Sequence, residues 1–254
     1  IDPVIPANGL QLWYPFTVDG GATVSDASGN GRAGAAYNTT WTATGFDGGG
    51  LDFNGSSSYV MMGTTAILDT SQPFSLGMWT YSHMAASRCR IVSLKGASEF
   101  GCILGREGGY LGYFGFRDNS AMQTTDTRFE IANLRTNWHF IVWTYNGGNK
   151  SSPSSYRLYL DGNELAVVAA NYFGSGSNDN TLGAYLAPQP VMCFDGLMDE
   201  VRVYNRALSL QEVVGMYWYY RPTEVRVPQV ELREGVKYLK PLGDIGMGVY
   251  ENNP

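Results

Sequence analysis

The sequence predicts an all-β fold: a two-sheet antiparallel β-sandwich of the jelly-roll kind, with one short C-terminal helix and an extended C-terminal arm. Three observations predict it. The chain of 254 residues holds 32 glycines, 13% aromatic residues and only 16% charged residues. Aromatic side chains suit a pleated, half-buried surface, and glycine supplies the tight turns between short strands. Apolar runs with a period of two recur along the chain, separated by turn clusters, which is the pattern of a sandwich or barrel. Only one window carries a full set of helix-start signals.

Each element follows from its residues. Residues 1–9, IDPVIPANG, contain two prolines and read as an extended lead-in. LQLWYPF reads as a strand and DASGNGRAG as a glycine-rich loop. LDFNGSSSYVMMG reads as two short strands in a hairpin around Asn54-Gly55. In PFSLGMWTYSH the residues Phe74, Leu76, Met78 and Thr80 share one face. CRIVSLKG and FGCILGREGGYLGYFGF continue the meander. In WHFIVWTYNGG one face carries His139, Ile141 and Trp143, and the other carries Trp138, Phe140 and Val142. Both are largely apolar, so this strand is expected to be central. YRLYLDGNELAVVAA predicts a hairpin around Asp161-Gly162, and FDGLMDEVRVYN a further strand. In ALSLQEVVGMY, Ser209 and Glu212 form a capping box and Leu208 and Val213 a hydrophobic staple. This helix is expected to plug one end of the sandwich.

The composition shifts after about Tyr217. The last 38 residues carry ten charges, against thirty in the first 216. They include too few apolar positions for a core of their own. Residues 1–9 are therefore read as a lead-in, 10–217 as the sandwich, and 218–254 as an arm that docks on the sandwich or on a neighbouring subunit.

Several function classes are disfavoured. A net charge of −6 repels phosphate backbones, so no nucleic acid is expected. No stretch approaches the roughly 20 apolar residues that span a bilayer, so no membrane insertion is expected. Cys89, Cys102 and Cys193 lack metal-ligand spacing; they read as core residues or as one disulfide plus a free thiol. Of two histidines, His139 reads as strand packing and His83 stands alone near a turn. No nucleophile–base set is visible, the glycine-rich loops lack a phosphate-binding context, and no acid pair suits a glycosidase, so no catalysis is expected.

Eight segments in order resemble one family. They begin with Leu12-Trp13-Tyr14-Pro15-Phe16 and Asp26-Ala27-Ser28-Gly29-Asn30-Gly31. Next are Leu51-Asp52-Phe53-Asn54-Gly55, Phe74-Ser75-Leu76-Gly77-Met78-Trp79, Trp138-His139 and Thr144-Tyr145-Asn146-Gly147. Leu158-Tyr159-Leu160-Asp161-Gly162 and the run from Phe194 through Asp199-Glu200-Val201 to Ser209 complete the set. Together they resemble the laminin G-like branch of the concanavalin A-like lectin/glucanase superfamily, over about Leu10 to Tyr217. The resemblance implies the sandwich fold and a range of functions: glycan-binding modules, adhesion domains and virion surface proteins.

On strand 196–204, period-two alternation groups Leu197, Asp199, Val201 and Val203, which places Asp199 toward the core. A buried carboxylate requires hydrogen bonds, a cation or protonation. Members of the resembled family often hold a structural Ca²⁺ between this strand and the Asp26–Gly31 loop. The resemblance thus implies Asp26, Asn30 and Asp199 as Ca²⁺ ligands with loop carbonyls. The alternative is that Asp199 accepts backbone N–H bonds and no metal is involved.

Aromatic residues supply the other candidates. Tyr172 and Phe173 open the loop NYFGSGSNDN and are candidate ligand-binding residues, able to stack on a sugar or anchor a partner. Tyr110, Tyr113, Phe114 and Phe116 lie among glycines and read as strand core or as a second stacking surface. Tyr217, Trp218, Tyr219 and Tyr220 are costly to expose. They are candidates for an assembly interface, or for packing between arm and sandwich.

Two readings of function follow. The first is a non-catalytic subunit of an outer-surface assembly (cell surface, filament or virion) acting in structure or adhesion, its arm contacting copies of itself or another subunit. The second is a carbohydrate-binding lectin-like module with glycans as partners. Both place the protein outside the cell, at a cell surface or on a virion.

Overall fold

A computed structural model describes residues 4–69, 71–83, 89–94, 137–149, 152–165, 179–186 and 189–220, and the backbone of 236–241 and 247–251. In chain order the first strands are β1 (Leu10–Tyr14), β2 (Thr23–Val24), β3 (Gly34–Tyr37), β4 (Thr40–Asp47), β5 (Gly49–Asn54) and β6 (Tyr59–Met61). Then come β7 (Phe74–Ser82), β8 (Val92–Ser93), β9 (His139–Tyr145), β10 (Tyr156–Leu160), β11 (Asn163–Leu165) and β12 (Thr181–Leu182). They are followed by β13 (Tyr185–Leu186), β14 (Pro190–Val191), β15 (Asp195–Tyr204), α1 (Leu210–Tyr219), β16 (Val236–Pro241) and β17 (Met247–Glu251).

Among the described residues these strands build two main sheets. The larger has eight strands in the order β11-β10-β9-β7-β15-β5-β4, with β1 also paired to β15. The smaller has five, β2-β3-β6-β12-β8. All pairings are antiparallel, which gives the expected sandwich. Its inner core gathers Leu12, Tyr14, Phe53, Met78, Ile141 and Val203, among others. Strand β9 is central, as its two apolar faces predict: Ile141 and Trp143 join the inner core, while Phe140 and Val142 join a second cluster outside.

That second cluster explains the helix. Trp79, Phe140, Tyr159 and Tyr204 stand on the outer face of the larger sheet, and Val213, Met216 and Tyr217 of α1 cover them. The helix therefore lies on the sheet's outer face and does not plug an end of the sandwich. Gly77 lies beneath the helix: a Cβ there would be 3.8 Å from Met216 Cε, an ordinary contact distance. The capping box forms as read, with the Ser209 side chain accepting from Glu212 N and the Glu212 carboxylate accepting from Ser209 N. Leu208 and Val213 are both buried in the outer cluster, as the staple requires. Ser75 Oγ accepts from Leu208 N and donates to the Arg206 carbonyl, both at 2.9 Å, which fixes the helix entrance to β7.

Two turn readings diverge. Asp161-Gly162 makes the predicted hairpin between β10 and β11, with φ of +52° and +77° at its two central residues. Its Asp161 carboxylate also accepts from Phe140 N (2.9 Å) and pairs with His139 Nδ1 (2.7 Å), so His139 locks a turn to a central strand. Asn54-Gly55 does not make a hairpin. It carries the chain from β5 in the larger sheet to β6 in the smaller. Asn54 Oδ1 accepts from the backbone N–H groups of Ser56, Ser57 and Ser58, a local turn that lets the chain change sheets.

The central strand β15 is bulged. Asp199 faces Trp79 and Arg202 faces Gly77, so Glu200 and Val201 together oppose Met78. Glu200 takes φ +55°, a left-handed conformation uncommon for a residue with a side chain. The extra residue shifts the alternation by one. Met198, Val201 and Val203 face the inner core, while Asp199 and Arg202 stand on the outer face. Asp199 is therefore not aligned with Val201 and Val203, as unbroken period-two alternation predicts.

The bulge aims Glu200 into a buried polar knot. Its Oε2 accepts from Trp13 Nε1 (2.9 Å), from the Tyr220 hydroxyl (2.6 Å) and from Arg202 Nη2. The Arg202 guanidinium lies 4.6 Å from the Trp13 ring centroid and 5.4 Å from that of Tyr220. Burial pushes the Tyr220 phenol far above its usual range, so it remains a donor. The knot ties β1, β15 and the residue after α1 together, and places Tyr220 in the packed unit. The lead-in is also held: the Gly9 carbonyl accepts from Asn205 N and the Asn8 carbonyl from Arg206 Nε, each at 2.9 Å.

Removing one member of this buried pair leaves the other charge uncompensated. Glu200→Ala is expected to lower unfolding free energy by about 3–5 kcal/mol in urea denaturation. The double variant Glu200→Leu with Arg202→Met is expected to lose clearly less, because no buried charge remains.

Candidate functional site

Asp26 organises the loop between β2 and β3. Its Oδ1 accepts from Trp13 N (3.0 Å) and Ser28 N (2.9 Å), and its Oδ2 from Arg32 N and Ser28 Oγ (both 2.9 Å). Burial pulls its pKa upward, but the N–H donors of Trp13, Arg32 and Ser28 outweigh burial and hold the carboxyl below its usual range. Asn30 joins the same loop through its amide nitrogen, which donates to the Leu10 and Gln11 carbonyls at 3.0 and 3.2 Å.

Asp199 takes different partners. Its Oδ2 accepts from Asp47 N (2.8 Å) at the end of β4, and its Oδ1 from Glu200 N (2.7 Å). The side chain is wholly buried. Burial, partly opposed by the Asp47 N–H bond and reinforced by Glu200, pushes its pKa up to about 7. The structure thus brings Asp26 and Asn30 together but gives Asp199 no partner in common with them. Four donors already occupy the Asp26 oxygens, and Asn30 turns its nitrogen toward the Leu10 and Gln11 carbonyls of β1. In this arrangement the three residues do not fit one shared Ca²⁺. Among the described residues no group of three or more His, Cys, Asp or Glu side chains could hold a metal ion.

The remaining sequence candidates are distributed as follows. Tyr172, Phe173, Tyr110, Tyr113, Phe114, Phe116 and Cys102 lie outside the described residues. Cys89 and Cys193 are both buried. Tyr217 packs on Trp79 and Phe140, Trp218 lies against the same cluster, and Tyr220 is bonded in the polar knot. Of the four aromatics proposed for an interface, only Tyr219 is exposed, at 45%. Aromatic packing of α1 on the sheet accounts for the others.

The outer face of the larger sheet has a covered half and an open half. Along β7, Trp79, Tyr81 and His83 fall on this face at alternating positions. Trp79 is covered by Phe46, whose ring stacks on it at 3.4 Å between centroids. The next row runs Tyr81, Leu197, Asp52 across β7, β15 and β5, a width of about 10 Å at ordinary strand spacing. All three are partly exposed. One row further on, His83 Nδ1 lies 3.5 Å from Asp195 Oδ1, with their side chains 46% and 43% exposed.

Trp138, just before β9, closes one side of this open half. Its ring centroid lies 5.9 Å from that of Tyr81, with the planes at 64°, so the two rings form a corner. His83 meets the Tyr81 ring edge-on at 5.5 Å. Burial pushes the Asp52 carboxyl above its usual range; His83 pulls it down and Asp195 pushes it up. Two aromatic faces and three polar side chains therefore converge on one accessible surface. This arrangement can stack one face of a ligand ring and hydrogen-bond its edge.

A second, small concavity lies between the Pro15–Ser25 segment and Trp41. Its indole N–H is already bonded to the Phe16 carbonyl (2.7 Å), and the Asp19 carboxylate accepts from Gly21 N (2.9 Å). The Tyr81–Trp138 corner is the better-equipped surface. Sequence reading missed it, although the alternation Trp79, Tyr81, His83 on the face opposite Leu76 and Met78 was a usable signal.

The geometry defines a class: an antiparallel jelly-roll sandwich with a helix on one face and an open aromatic corner beside it. The chain belongs to the Laminin_G_3 family of the concanavalin A-like lectin/glucanases superfamily, whose model matches residues 54–214. A search of curated protein sequences found no match. Among solved structures, the chain is similar to domain 4 of AbnA, a GH43 extracellular arabinanase from Geobacillus stearothermophilus, in complex with arabinotriose. That match has 18% identity and a TM-score of 0.59, covering 82% of this chain and 98% of that one. It is also similar to the binding domain of botulinum neurotoxin DC in complex with rat synaptotagmin II (12% identity, TM-score 0.61, 86% and 53% covered). A third match is a mutant Trypanosoma rangeli sialidase displaying trans-sialidase activity (15% identity, TM-score 0.60, 84% and 33% covered). The chain thus spans about a third of that sialidase. These likenesses establish the fold, which occurs both within enzymes and in binding domains.

Two outcomes follow from the carboxylates. Asp199 has a folded pKa above the usual 3.8, so its stabilising contribution is full below pH 3.8 and is lost as pH rises toward 7. The loss is on the order of 4 kcal/mol at the upper end. Urea denaturation from pH 4 to pH 7.5 is expected to show this fall in the wild type and a flatter profile in Asp199→Asn. Thermal melting in EDTA and in millimolar Ca²⁺ is expected to give the same midpoint; a clear rise in Ca²⁺ would mean that the Asp26 loop rearranges around the ion.

Proposed function

We propose that this protein is a non-catalytic carbohydrate-binding module whose ligand surface is the open half of the outer face. The observation that carries the proposal is the Tyr81–Trp138 corner, with Asp52, His83 and Asp195 beside it. A sugar presents an apolar ring face and a rim of hydroxyls, and this surface offers an aromatic platform flanked by hydrogen-bonding groups. The arabinotriose bound to the similar AbnA domain supports the reading, since the match covers 82% of this chain and 98% of that domain.

A binding role suits the site better than hydrolysis. Glycosidases need a carboxylic acid held protonated and a second carboxylate across a substrate cleft. His83 and Asp195 are almost half exposed, which favours ligand exchange over water exclusion. The alternative role as a structural or adhesive subunit rests on the arm. There the structure describes one antiparallel hairpin, β16 with β17. The corner thus moves glycan binding ahead of assembly.

Tyr81→Ala is expected to weaken binding on a glycan array or in isothermal titration by roughly five- to thirtyfold, in line with the loss of about 1–2 kcal/mol for an aromatic stacking contact. Its melting temperature should stay near that of the wild type, because Tyr81 lies outside both buried clusters. A wild-type chain that binds no glycan would remove the proposal.

A further inference from the structure

We infer that the Tyr81–Trp138 corner takes uncharged sugars and rejects acidic ones such as sialic and uronic acids, because the carboxylates of Asp52 and Asp195 line it. The inference rests on the glycan-binding reading and adds the ligand class.

The first line of support is the rim chemistry. Asp52 and Asp195 stand diagonally across the β5–β15 pair, one row apart on the same face. An ionised carboxylate only accepts hydrogen bonds, and with two oxygens it can accept from two neighbouring sugar hydroxyls. His83 adds a ring nitrogen 3.5 Å from Asp195. Neutral sugars supply such hydroxyl donors all round the ring. A sugar carboxylate supplies none and would lie against like charge.

The cations provide the second. Recognition of a carboxylate ordinarily uses the paired N–H donors of arginine or the ammonium of lysine. The described arginines stand elsewhere. Arg157 pairs with Glu164, Arg202 with Glu200, and Arg206 with Glu212. Arg90 is 1% exposed within the fold. Arg32 stands on the loop between β2 and β3, which are strands of the smaller sheet and not of this face. The overall charge of −6 adds to the bias.

The third is the corner itself. Its two rings meet at 64°, so a flat sugar face stacks on one while its edge meets the other. That contact is independent of charge. The corner therefore supplies attraction common to all sugars, and the carboxylates supply the discrimination. Like charges a few ångströms apart at a protein surface weaken binding on the order of tenfold or more, and salt screens the effect.

The test titrates the wild-type chain with paired oligosaccharides that differ only in an acidic residue, at low and high salt. It repeats the titrations with Asp52→Asn/Asp195→Asn and with Tyr81→Ala, whose folding is checked by melting. The expected result is binding of the neutral member with the acidic member at least tenfold weaker, a gap that narrows in salt and in the double variant, and loss of both in Tyr81→Ala. Equal or tighter binding of the acidic member overturns the inference and leaves the glycan-binding reading standing. An unchanged gap in the double variant, or unchanged binding in Tyr81→Ala, also overturns it, by placing recognition elsewhere. Binding of neither member removes the inference together with the reading beneath it.

Discussion

Between Asp199 and Arg202 the central strand of the larger sheet holds one residue more than the strand it pairs with. The extra residue turns the alternation over, so Asp199 and Arg202 emerge on the outer face while Met198, Val201 and Val203 stay inside. Everything on the outer face is arranged around that phase change. Asp199 receives the N–H at the end of β4, which folds Phe46 down onto Trp79. Glu200 receives Trp13 from β1 and Tyr220 from the end of the helix. Without the bulge, the charged residues of this strand would meet the apolar interior, and burying an unpaired charge there would be prohibitive.

The same constraint divides the outer face in two. Ahead of the bulge's anchors, Phe46 and α1 cover Trp79, Phe140 and Tyr204, forming a second apolar cluster. Beyond Trp79 nothing in the described chain covers the rows of Tyr81 and His83, and their polar atoms have solvent available. A sheet covered on one face by a second sheet and on half of the other by a helix leaves a flat, rigid, partly aromatic platform. Rigid platforms suit carbohydrate binding, because the protein loses little conformational freedom when the ligand arrives. The relatives that share the fold include both an arabinotriose complex and a protein-receptor complex, so the scaffold alone does not choose the ligand. On the proposed reading, the side chains on the open half do.

Much of this arrangement was legible in the residues. Two-sided apolarity identified the central strand His139–Tyr145, and Asp161-Gly162 identified its hairpin, because period and turn chemistry are local properties. Ser209 with Glu212 marked the helix start for the same reason. Asn54-Gly55 misled, since a turn dipeptide specifies a change of direction but not which sheet the next strand joins. Asp199 misled through the bulge: Glu200 at φ +55° bears no composition signal, and strict alternation then assigns Val201 and Val203 correctly but puts Leu197 and Asp199, ahead of the bulge, on the wrong face. The family resemblance grouped Asp26 and Asn30 as ligands, yet whether their oxygens face a cation or backbone N–H groups depends on β1, thirteen residues away from Asp26.

What the sequence determined by itself was the class of fold, the strands and turns set by local periodicity, and the capped helix. These follow from short-range propensity and from the need to bury alternate residues. The tertiary structure decided which face the helix covers, that Glu200 and Arg202 form a buried pair with Trp13 and Tyr220, and that Tyr81, Trp138, Asp52, His83 and Asp195 share one open surface. Those residues come from four separate stretches of the chain. They meet only because β7, β15 and β5 are neighbours in the sheet, and strand order is a long-range choice that no local window encodes.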